Sequence, residues 1–142
     1  MEFIKHNLSG VIECVPTKFH DDRGYFYESY NQKRFAANGI PEDFVQDNYS
    51  YSSKGVLRGL HFQHHPEGQG KLVRVMTGKA LDVVVDLRQS SPTFGQHFTV
   101  ELSAENQLQL VTPTVAASYP IGGIPSAISA LGIPSRDSAT SD

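Results

Sequence analysis

Short segments of alternating polarity, separated by turn residues, fill the first hundred residues of this chain and constrain its fold more than any other feature. The segments are rich in aromatic and β-branched residues, and the clearest of them are Tyr25–Tyr30, Phe44–Tyr51, Lys71–Met76, Ala80–Arg88 and Gln96–Leu102. This pattern is typical of strands that bury one face. Helices do not alternate with them, as they would around a parallel sheet. The sequence therefore predicts an all-β antiparallel sandwich or jelly roll.

A single short helix is predicted after the first aromatic segment. Asn31 is a favourable N-cap for a helix over Gln32–Asn38, because its side chain can accept a hydrogen bond from a free backbone N–H. Gly39 and then Pro41 end the segment. This helix is the only one that the pattern favours.

A tight turn and a further strand are predicted in the middle of the chain. Thr77–Lys79 is interpreted as a tight hairpin between two strands. Val56–Gln63 is interpreted as a strand in which Arg58 and His61, three residues apart, would face opposite ways if it were unbroken. Gly59 is interpreted as a bulge that brings the two side chains to one side.

Length and composition limit the classes of protein that the chain can represent. Its 142 residues fit one domain, and a net charge of -3 gives no basic field that would argue for a nucleic acid partner. Cys14 is the only cysteine, which favours a reducing compartment. No stretch resembles a signal peptide or a bilayer-spanning segment. A soluble, cytoplasmic protein without nucleic acid or membrane partners is expected.

The residues from Arg58 to Lys71 combine a base with cations. Histidine has a pKa that suits proton abstraction near neutral pH, and His61 is expected to be partly desolvated between Leu60 and Phe62. Arg58 and Lys71 lie close in sequence. A base beside a fixed cation can remove a proton next to a carbonyl, since the cation stabilises the enolate oxygen. Proton abstraction of this kind is the favoured chemistry.

Two alternatives use some of the same residues. A metal site is the first, because the stretch contains four residues of metal-ligating types, His61, His64, His65 and Glu67. Three of them lie in a Pro/Gly-rich loop, where strand alternation cannot aim them inward. A phosphate site is the second, since arginine grips phosphate with two donors, and its candidates are Arg23, Arg58 and Arg74.

Several ordered motifs together resemble one known family. They are Asp22–Phe26 with Glu28, Gln46–Ser50, Leu57–Gln63, Gly70–Val75, Asp82–Arg88 and Ser91–Gly95. Their order and spacing are similar to those of dTDP-4-dehydrorhamnose 3,5-epimerases, enzymes of the dTDP-L-rhamnose pathway, over residues 1 to about 110. A match of several motifs in order is far more specific than a single pattern.

The resemblance implies a cupin-type jelly roll that acts as a homodimer, without metal or other cofactor, on dTDP-4-dehydro-6-deoxy-D-glucose. By the same resemblance His61 is the base that removes the protons at sugar carbons 3 and 5, and Lys71 is the cation beside the carbon-4 oxygen. The positions that match substrate-binding residues are Arg23, Glu28, Gln46, Asp47, Asn48 and Arg58. The two arginines among them would serve the diphosphate.

The chain departs from the family pattern after Leu110. Residues 1–110 are predicted to form the epimerase-like domain, and residues 111–142 a divergent, partly disordered tail rich in Pro, Gly, Ala and Ser, which leaves the jelly roll incomplete at this end. The family's proton-donor tyrosine and base-orienting aspartate are not found there, and Tyr119 lies in a different context. A frame shift or truncation near Val111 is the hypothesis that this change suggests.

Three functions follow from these observations. Epimerisation at carbons 3 and 5 is favoured, and inversion of one carbon or ketoisomerisation would use the same chemistry. A catalytically impaired remnant that binds nucleotide sugar is the second. A metal-dependent cupin enzyme is the third, and it requires the histidines and Glu67 to converge.

Overall fold

The computed structural model describes residues 1–41, 43–63 and 68–113 in full and the backbone of residues 116–122 and 126–133. These ranges contain eleven strands and one helix. Their bounds are β1 Glu2–Lys5, β2 Ile12–Val15, β3 Phe19–Asp21, β4 Gly24–Phe26, α1 Gln32–Ala37, β5 Gln46–Ser52, β6 Gly70–Thr77, β7 Lys79–Asp86, β8 His97–Ser103, β9 Gln109–Thr112, β10 Ala116–Gly122 and β11 Ser126–Ile133.

The strands form two main antiparallel sheets and a small hairpin. The larger sheet has the order β1-β2-β9-β6-β11-β5, the second has the order β10-β7-β8, and β3 pairs with β4 alone. Side chains of both main sheets meet in one hydrophobic cluster, which includes Val73 and Val75 from β6, Val84 from β7 and Leu102 from β8. The two sheets therefore pack face to face, as the predicted jelly roll requires.

Strand β6 has two apolar faces. Val73 and Val75 lie in the cluster between the sheets, whereas Leu72 lies in a second cluster with Val111 and with Phe35 of α1. Successive strand residues point to opposite faces, so β6 separates the two clusters. We call the side with Val73 and Val75 the inner face of the six-stranded sheet, and the side with Leu72, which α1 covers, the outer face.

The predicted helix is confirmed, and its local causes are visible. The Asn31 side chain accepts a hydrogen bond from the backbone N–H of Arg34, as an N-cap does. Gly39 follows the last turn with a φ of 93°, a left-handed conformation that suits glycine. Phe35 is fully buried and holds the helix on the sheet, and its ring lies edge-on to that of Phe3 at 5.2 Å.

The predicted hairpin at Thr77–Lys79 is wrong. β6 ends at Thr77 and β7 begins at Lys79, but the two strands belong to different sheets. Gly78, with a φ of 73°, turns the chain from one sheet into the other. A glycine turn between two alternating segments has the same sequence signal in both cases, because the signal reports the turn and not the pairing.

The predicted strand over Val56–Gln63, with a bulge at Gly59, is also wrong. β5 ends at Ser52 and β6 begins at Gly70, and in the described part of the intervening segment only isolated bridge positions occur, at Leu57 and His61. Leu57 is 65% exposed, so its apolar character does not reflect burial within the single chain. Gly59, with a φ of 109°, interrupts the segment.

The segment after Leu110 contains strands that the sequence did not predict. β10 pairs with β7 over seven residues, and β11 lies between β5 and β6 in the larger sheet. Pro120 lies within β10, opposite Asp82 of β7. The division into a domain and a tail at residue 110 stays a prediction, and residues 134–142 lie outside the described ranges. None of the helices in the described ranges could span a membrane.

Candidate functional site

The centre of the site is a row of residues across the larger sheet. In the antiparallel register Gln46 of β5 lies opposite Gly132 of β11, and Gly132 lies opposite Lys71 of β6. Residues in one row share a face. Lys71 and Val73 are two residues apart in β6 and therefore point to the same side, so this row lies on the inner face. The backbones at Gln46 and Lys71 are two strand spacings apart, roughly 10 Å.

Asn48 extends the polar surface along β5. It lies opposite Ala130, which in turn lies opposite Val73, so its row also belongs to the inner face. The Gln46 side-chain amide donates a hydrogen bond to Asn48 Oδ1 over 3.1 Å, as expected for neighbours on one side of a strand. Both residues are exposed in the single chain and therefore accessible to a ligand.

Asp47 lies on the other side of the strand. Its row contains Leu131 and Leu72, and Leu72 belongs to the outer cluster. The structure thus separates Asp47 from Gln46 and Asn48, although the three are consecutive in the predicted binding set. Its role in binding stays a prediction.

Arg58 reaches the same surface from the segment after β5. Its Nε donates to the Ser52 hydroxyl over 2.8 Å, and one of its terminal nitrogens donates to the carbonyl of Tyr51 over 3.2 Å. Ser52 is buried and has the same parity in β5 as Gln46 and Asn48, so it lies on the inner face. The structure therefore brings Arg58 towards the surface that carries Gln46, Asn48 and Lys71.

His61 is exposed, which differs from the expected partial desolvation. Its neighbours Leu60 and Phe62 are 56% and 42% exposed, so they do not bury the imidazole within the single chain. The physical reason is that this segment is not a strand of either main sheet, and adjacent apolar side chains desolvate a group only where they pack. His61 lies between Arg58 and Lys71 along the chain.

Glu28 lies on the far side of the sheet from Lys71. It precedes helix α1, which covers the outer face, and accepts hydrogen bonds from the Asn31 amide at 3.0 Å and from the Arg34 guanidinium at 2.9 Å. The hydrogen bond from Asn31 and the ion pair with Arg34 lower the pKa of Glu28 below its usual value. Within one chain the structure does not bring Glu28 to the inner face.

Arg23 belongs to the β3–β4 hairpin and to neither main sheet. It lies at the tip of the exposed β3–β4 hairpin, where its guanidinium donates to the Asp21 carboxylate over 2.6 Å. This contact lowers the pKa of Asp21. The Arg23 side chain remains 91% exposed, so one side of the guanidinium is open to a ligand.

The two alternative sites are not assembled by the described residues. Arg74 is adjacent to Val73 in β6 and therefore lies on the outer face, whereas Arg58 bonds to Ser52 of the inner face, so these two arginines do not share a face within one chain. Of the four residues named for a metal, His61 is described, while the other three, His64, His65 and Glu67, lie outside the described residues.

The sequence reasoning missed buried polar residues, among them Ser52 and Asp82 on the inner face. Ser52, which anchors Arg58, sits at the end of a strand where a serine usually indicates a turn. Asp82 is fully buried in β7 between Ala80 and Val84, which lie in the inner cluster. The sequence could have predicted the burial of Asp82, because it occupies the same alternating positions of β7 as the apolar residues Ala80 and Val84.

Comparison with known proteins supports a relationship over most of the chain. Residues 5–119 match the model of the family described as dTDP-4-dehydrorhamnose 3,5-epimerase. A dTDP-4-dehydrorhamnose 3,5-epimerase from Shigella flexneri is 54% identical over 114 residues, which are 80% of this chain and 63% of that protein. The chain thus spans less than two thirds of the length of this curated relative.

Solved structures of such enzymes share the fold. A dTDP-4-dehydrorhamnose 3,5-epimerase from Bacillus anthracis, solved with TDP and PPi bound, has a TM-score of 0.89 and 43% identity, with 97% of this chain and 79% of that chain covered. A dTDP-6-deoxy-D-glucose-3,5-epimerase from Legionella pneumophila, in complex with dTDP-4-keto-L-rhamnose, has a TM-score of 0.87 and 40% identity, with 96% and 73% covered. The jelly roll predicted from the sequence is confirmed by these neighbours.

Proposed function

Since the chain belongs to the dTDP-4-dehydrorhamnose 3,5-epimerase family, we propose that it epimerises dTDP-4-dehydro-6-deoxy-D-glucose at carbons 3 and 5 to give dTDP-4-dehydro-L-rhamnose. The observation that carries the proposal is the inner-face row that joins Gln46 to Lys71, with Asn48 and Arg58 on the same surface. This arrangement offers a cation and several amides to one ligand, next to the segment that carries the histidine base.

The chemistry needs a base and a site for negative charge. A proton on a carbon next to a ketone is removed by His61, and the electrons of the C–H bond move to the carbon-4 oxygen as an enolate. The Lys71 ammonium stabilises that oxygen. A solvent water then gives a proton to the opposite face of the sugar, which inverts the carbon, and the protonated His61 returns its proton to the hydroxide so formed. The same cycle at the second carbon completes the reaction. No redox step occurs, so neither hydride nor electrons leave the substrate.

The nucleotide end of the substrate is assigned to Arg58 and the amides of β5. Arginine binds phosphate with paired donors, and the hydrogen bonds of Arg58 to Ser52 and Tyr51 hold its side chain in a fixed orientation. The TDP and pyrophosphate in the Bacillus anthracis relative and the dTDP-sugar in the Legionella pneumophila relative support a ligand of this class.

A homodimer is part of the proposal. Arg23 and Glu28 match binding positions of the family, but Arg23 lies on the β3–β4 hairpin and Glu28 beside α1, which covers the outer face. We therefore expect a second copy to present them to an inner-face site. The hairpin that carries Arg23 exposes large apolar side chains, with Phe19 at 64% and Phe26 at 71% exposure. Exposed aromatic side chains at a hairpin favour contact with another chain.

We also propose a cytoplasmic location. Cys14 is a free, fully buried cysteine, and burial raises the pKa of its thiol to about 12. A thiol in this state is unreactive and packs as an apolar side chain in the outer cluster. A fold that depends on a reduced cysteine suits a reducing compartment.

Exchange of solvent deuterium into the substrate tests the proposal. The chain is incubated with dTDP-4-dehydro-6-deoxyglucose in D₂O, and label at carbons 3 and 5 is followed by NMR. Exchange requires removal of a proton and delivery of a deuteron to the enolate on either face, so it reports on His61 and Lys71 without requiring inversion. We expect label at both carbons, loss of it in His61→Ala, and retention in the matched control His97→Ala, an exposed histidine of β8.

A second candidate is binding of the nucleotide sugar without turnover. The exposure of His61 favours it, because a site that is open here does not exclude water from the reacting carbon. Saturable binding of dTDP by a folded sample that shows no exchange at either carbon would select this function over epimerisation.

A further inference from the structure

Two glutamines contact the extended segment that carries Arg23 and Glu28. We call the segment Phe19–Ser29 the arm. Tyr27 donates its hydroxyl proton to Gln107 Oε1 over 2.5 Å, and the amide nitrogen of Gln107 donates to the Tyr25 hydroxyl over 3.3 Å. Two residues further on, the Gln109 amide donates to the carbonyl of Ser29 over 2.7 Å.

The contacts use one side of the arm. The side chains of Tyr25 and Tyr27 both contact Gln107, and the backbone carbonyl of Ser29 contacts Gln109. Phe26 and Glu28 lie between them in sequence, and in an extended segment alternate residues face opposite ways. Phe26 is 71% exposed, in agreement with this alternation. The glutamines therefore hold the arm through Tyr25, Tyr27 and Ser29, and none of these contacts occupies the side chain of Arg23 or Glu28.

The hairpin of the arm packs little against the rest of the described chain. All residues of β3 and β4 are exposed, and among the described strands these two pair with each other alone. An isolated two-stranded hairpin is at best marginally stable in water. Lys18 adds one further fixing point, since its Nζ donates to the carbonyl of Glu105 over 2.8 Å and lies 5.2 Å from the centre of the Tyr25 ring.

Gln107 itself is held in an uncommon conformation. Its φ of 59° is the only positive value at a described residue other than glycine. Left-handed backbone at such a residue costs free energy and persists where surrounding contacts fix it. Its backbone N–H donates to the carbonyl of Ser103 over 3.0 Å, and its side-chain amide also donates to the carbonyl of Ala104. The turn thereby aims the amide at both tyrosines.

We propose that Gln107 and Gln109 are positioning residues for nucleotide binding: they hold the arm so that Arg23 and Glu28 are presented in a fixed geometry to the dTDP group. The inference rests on the proposed function for the identity of the ligand. Its physical basis is preorganisation, because a loose hairpin must be ordered when the ligand binds and a tethered hairpin is already ordered.

Removal of the Gln107 side chain is the first test, with dTDP as the probe. Gln107→Gly is the best variant, because glycine adopts a φ of about 60° without strain and the turn survives loss of the amide. We expect dTDP affinity, measured by calorimetry, to fall about tenfold, and Tyr27→Phe to weaken it several-fold. Gln96→Ala, at an exposed glutamine outside the arm, should bind as the unchanged chain does.

A double-mutant cycle with Arg23 separates positioning from a general loss of structure. If Gln107 acts through Arg23, the Gln107→Gly substitution will have little further effect in an Arg23→Ala chain. Fully additive losses would overturn the proposal, as would unchanged binding by Gln107→Gly. A merely structural role would weaken binding equally in both backgrounds.

Hydrogen exchange of the arm distinguishes failure of this inference from failure of the proposed function. Backbone amides of residues 19–29 should exchange faster in Gln107→Gly than in the unchanged chain, with no ligand present. If the unchanged chain binds no dTDP, the proposed function fails, and faster exchange would still support the tether. Unchanged exchange in the variant would refute the tether whatever the chain binds.

Discussion

The buried hydroxyl of Ser52 anchors the exposed guanidinium of Arg58 at 2.8 Å. Removal of the hydroxyl in Ser52→Ala should weaken dTDP binding a few-fold, because Arg58 loses its fixed orientation while keeping its charge. Arg58→Lys should weaken it about tenfold, since lysine cannot form paired hydrogen bonds to phosphate. Titration calorimetry with dTDP measures both. Ser53→Ala, at the exposed neighbour, is the control, and equal effects of Ser52→Ala and Ser53→Ala would refute the anchoring.

Lys71→Met should remove most of the proton exchange while leaving the strand intact. Methionine has similar length and shape but no charge, so the enolate oxygen loses its cation, and loss of such a group typically slows the reaction about 10²- to 10³-fold. The rate of deuterium incorporation at carbons 3 and 5 is the measurement. Lys79→Met is the matched control, because Lys79 forms an exposed ion pair with Glu101 at 3.3 Å, on the other sheet.

The capping residue Asn31 also sets the ionisation of Glu28. Its side-chain oxygen caps α1 and its amide donates to Glu28 over 3.0 Å. This hydrogen bond is the largest cause of the lowered pKa of Glu28, so Asn31→Ala should raise that pKa towards its ordinary value of 4.5. An NMR titration of the side-chain carboxyl carbon measures it. Asn38→Ala removes a hydrogen bond at the other end of the helix and should leave the Glu28 titration unchanged.

Asp86 should make the fold sensitive to acid. Its buried carboxylate accepts hydrogen bonds from Arg88, Ser91 and Thr93, with Oδ2 taking one from each at 2.6 to 2.8 Å. The Arg88 guanidinium, with help from the two hydroxyls, holds the pKa of Asp86 far below its ordinary value of 3.8. The folded state therefore binds this proton less readily than the unfolded state. The contribution of the Asp86 carboxylate to the unfolding free energy is therefore complete above its pKa in the unfolded chain. It is lost as the pH falls towards its lower pKa in the folded chain.

Urea unfolding of Asp86→Asn at several pH values tests that expectation. At pH 7 the variant should lose about 3 kcal/mol of unfolding free energy, because one partner of a buried charged pair is removed. Below pH 4 the difference from the unchanged chain should shrink. Glu101→Gln, which breaks an exposed pair, should change the free energy by no more than about 0.5 kcal/mol at either pH. A constant difference across pH for Asp86→Asn would contradict the assignment.

Local signals in the sequence were sufficient for the helix and for several strands. Asn31, Gly39 and the apolar Phe35 act within one segment, so the helix could be predicted without knowledge of its neighbours. The turn before Gly24 likewise joins two strands that pair with each other. Both features depend on contacts between residues close in sequence.

Features that depend on distant partners were not predicted. The Gly78 turn joins two sheets, and which sheet β7 enters depends on β8 and β10. Strand β10 pairs with residues 80–86, and β11 pairs with residues 46–52 and 70–77. The prolines and glycines of this segment do not give a local strand pattern, so the pairing was not predicted. The grouping of Gln46 with Lys71 depends on β11, which lies between them. The family resemblance identified Gln46 and Lys71 as candidates. The strand register shows that they lie on the same face of the sheet.

The alternation of β6 makes this strand intolerant of a change in length. Lys71 faces the proposed site and Leu72 faces the helix, and they are adjacent in the chain. An insertion or deletion of a single residue here would exchange the two faces, so that an ammonium would enter the apolar contact with Phe35 and a leucine would enter the site. A single insertion or deletion in β6 would thus impair both the proposed site and the packing of the helix. A conservative substitution at one position would leave the alternation intact.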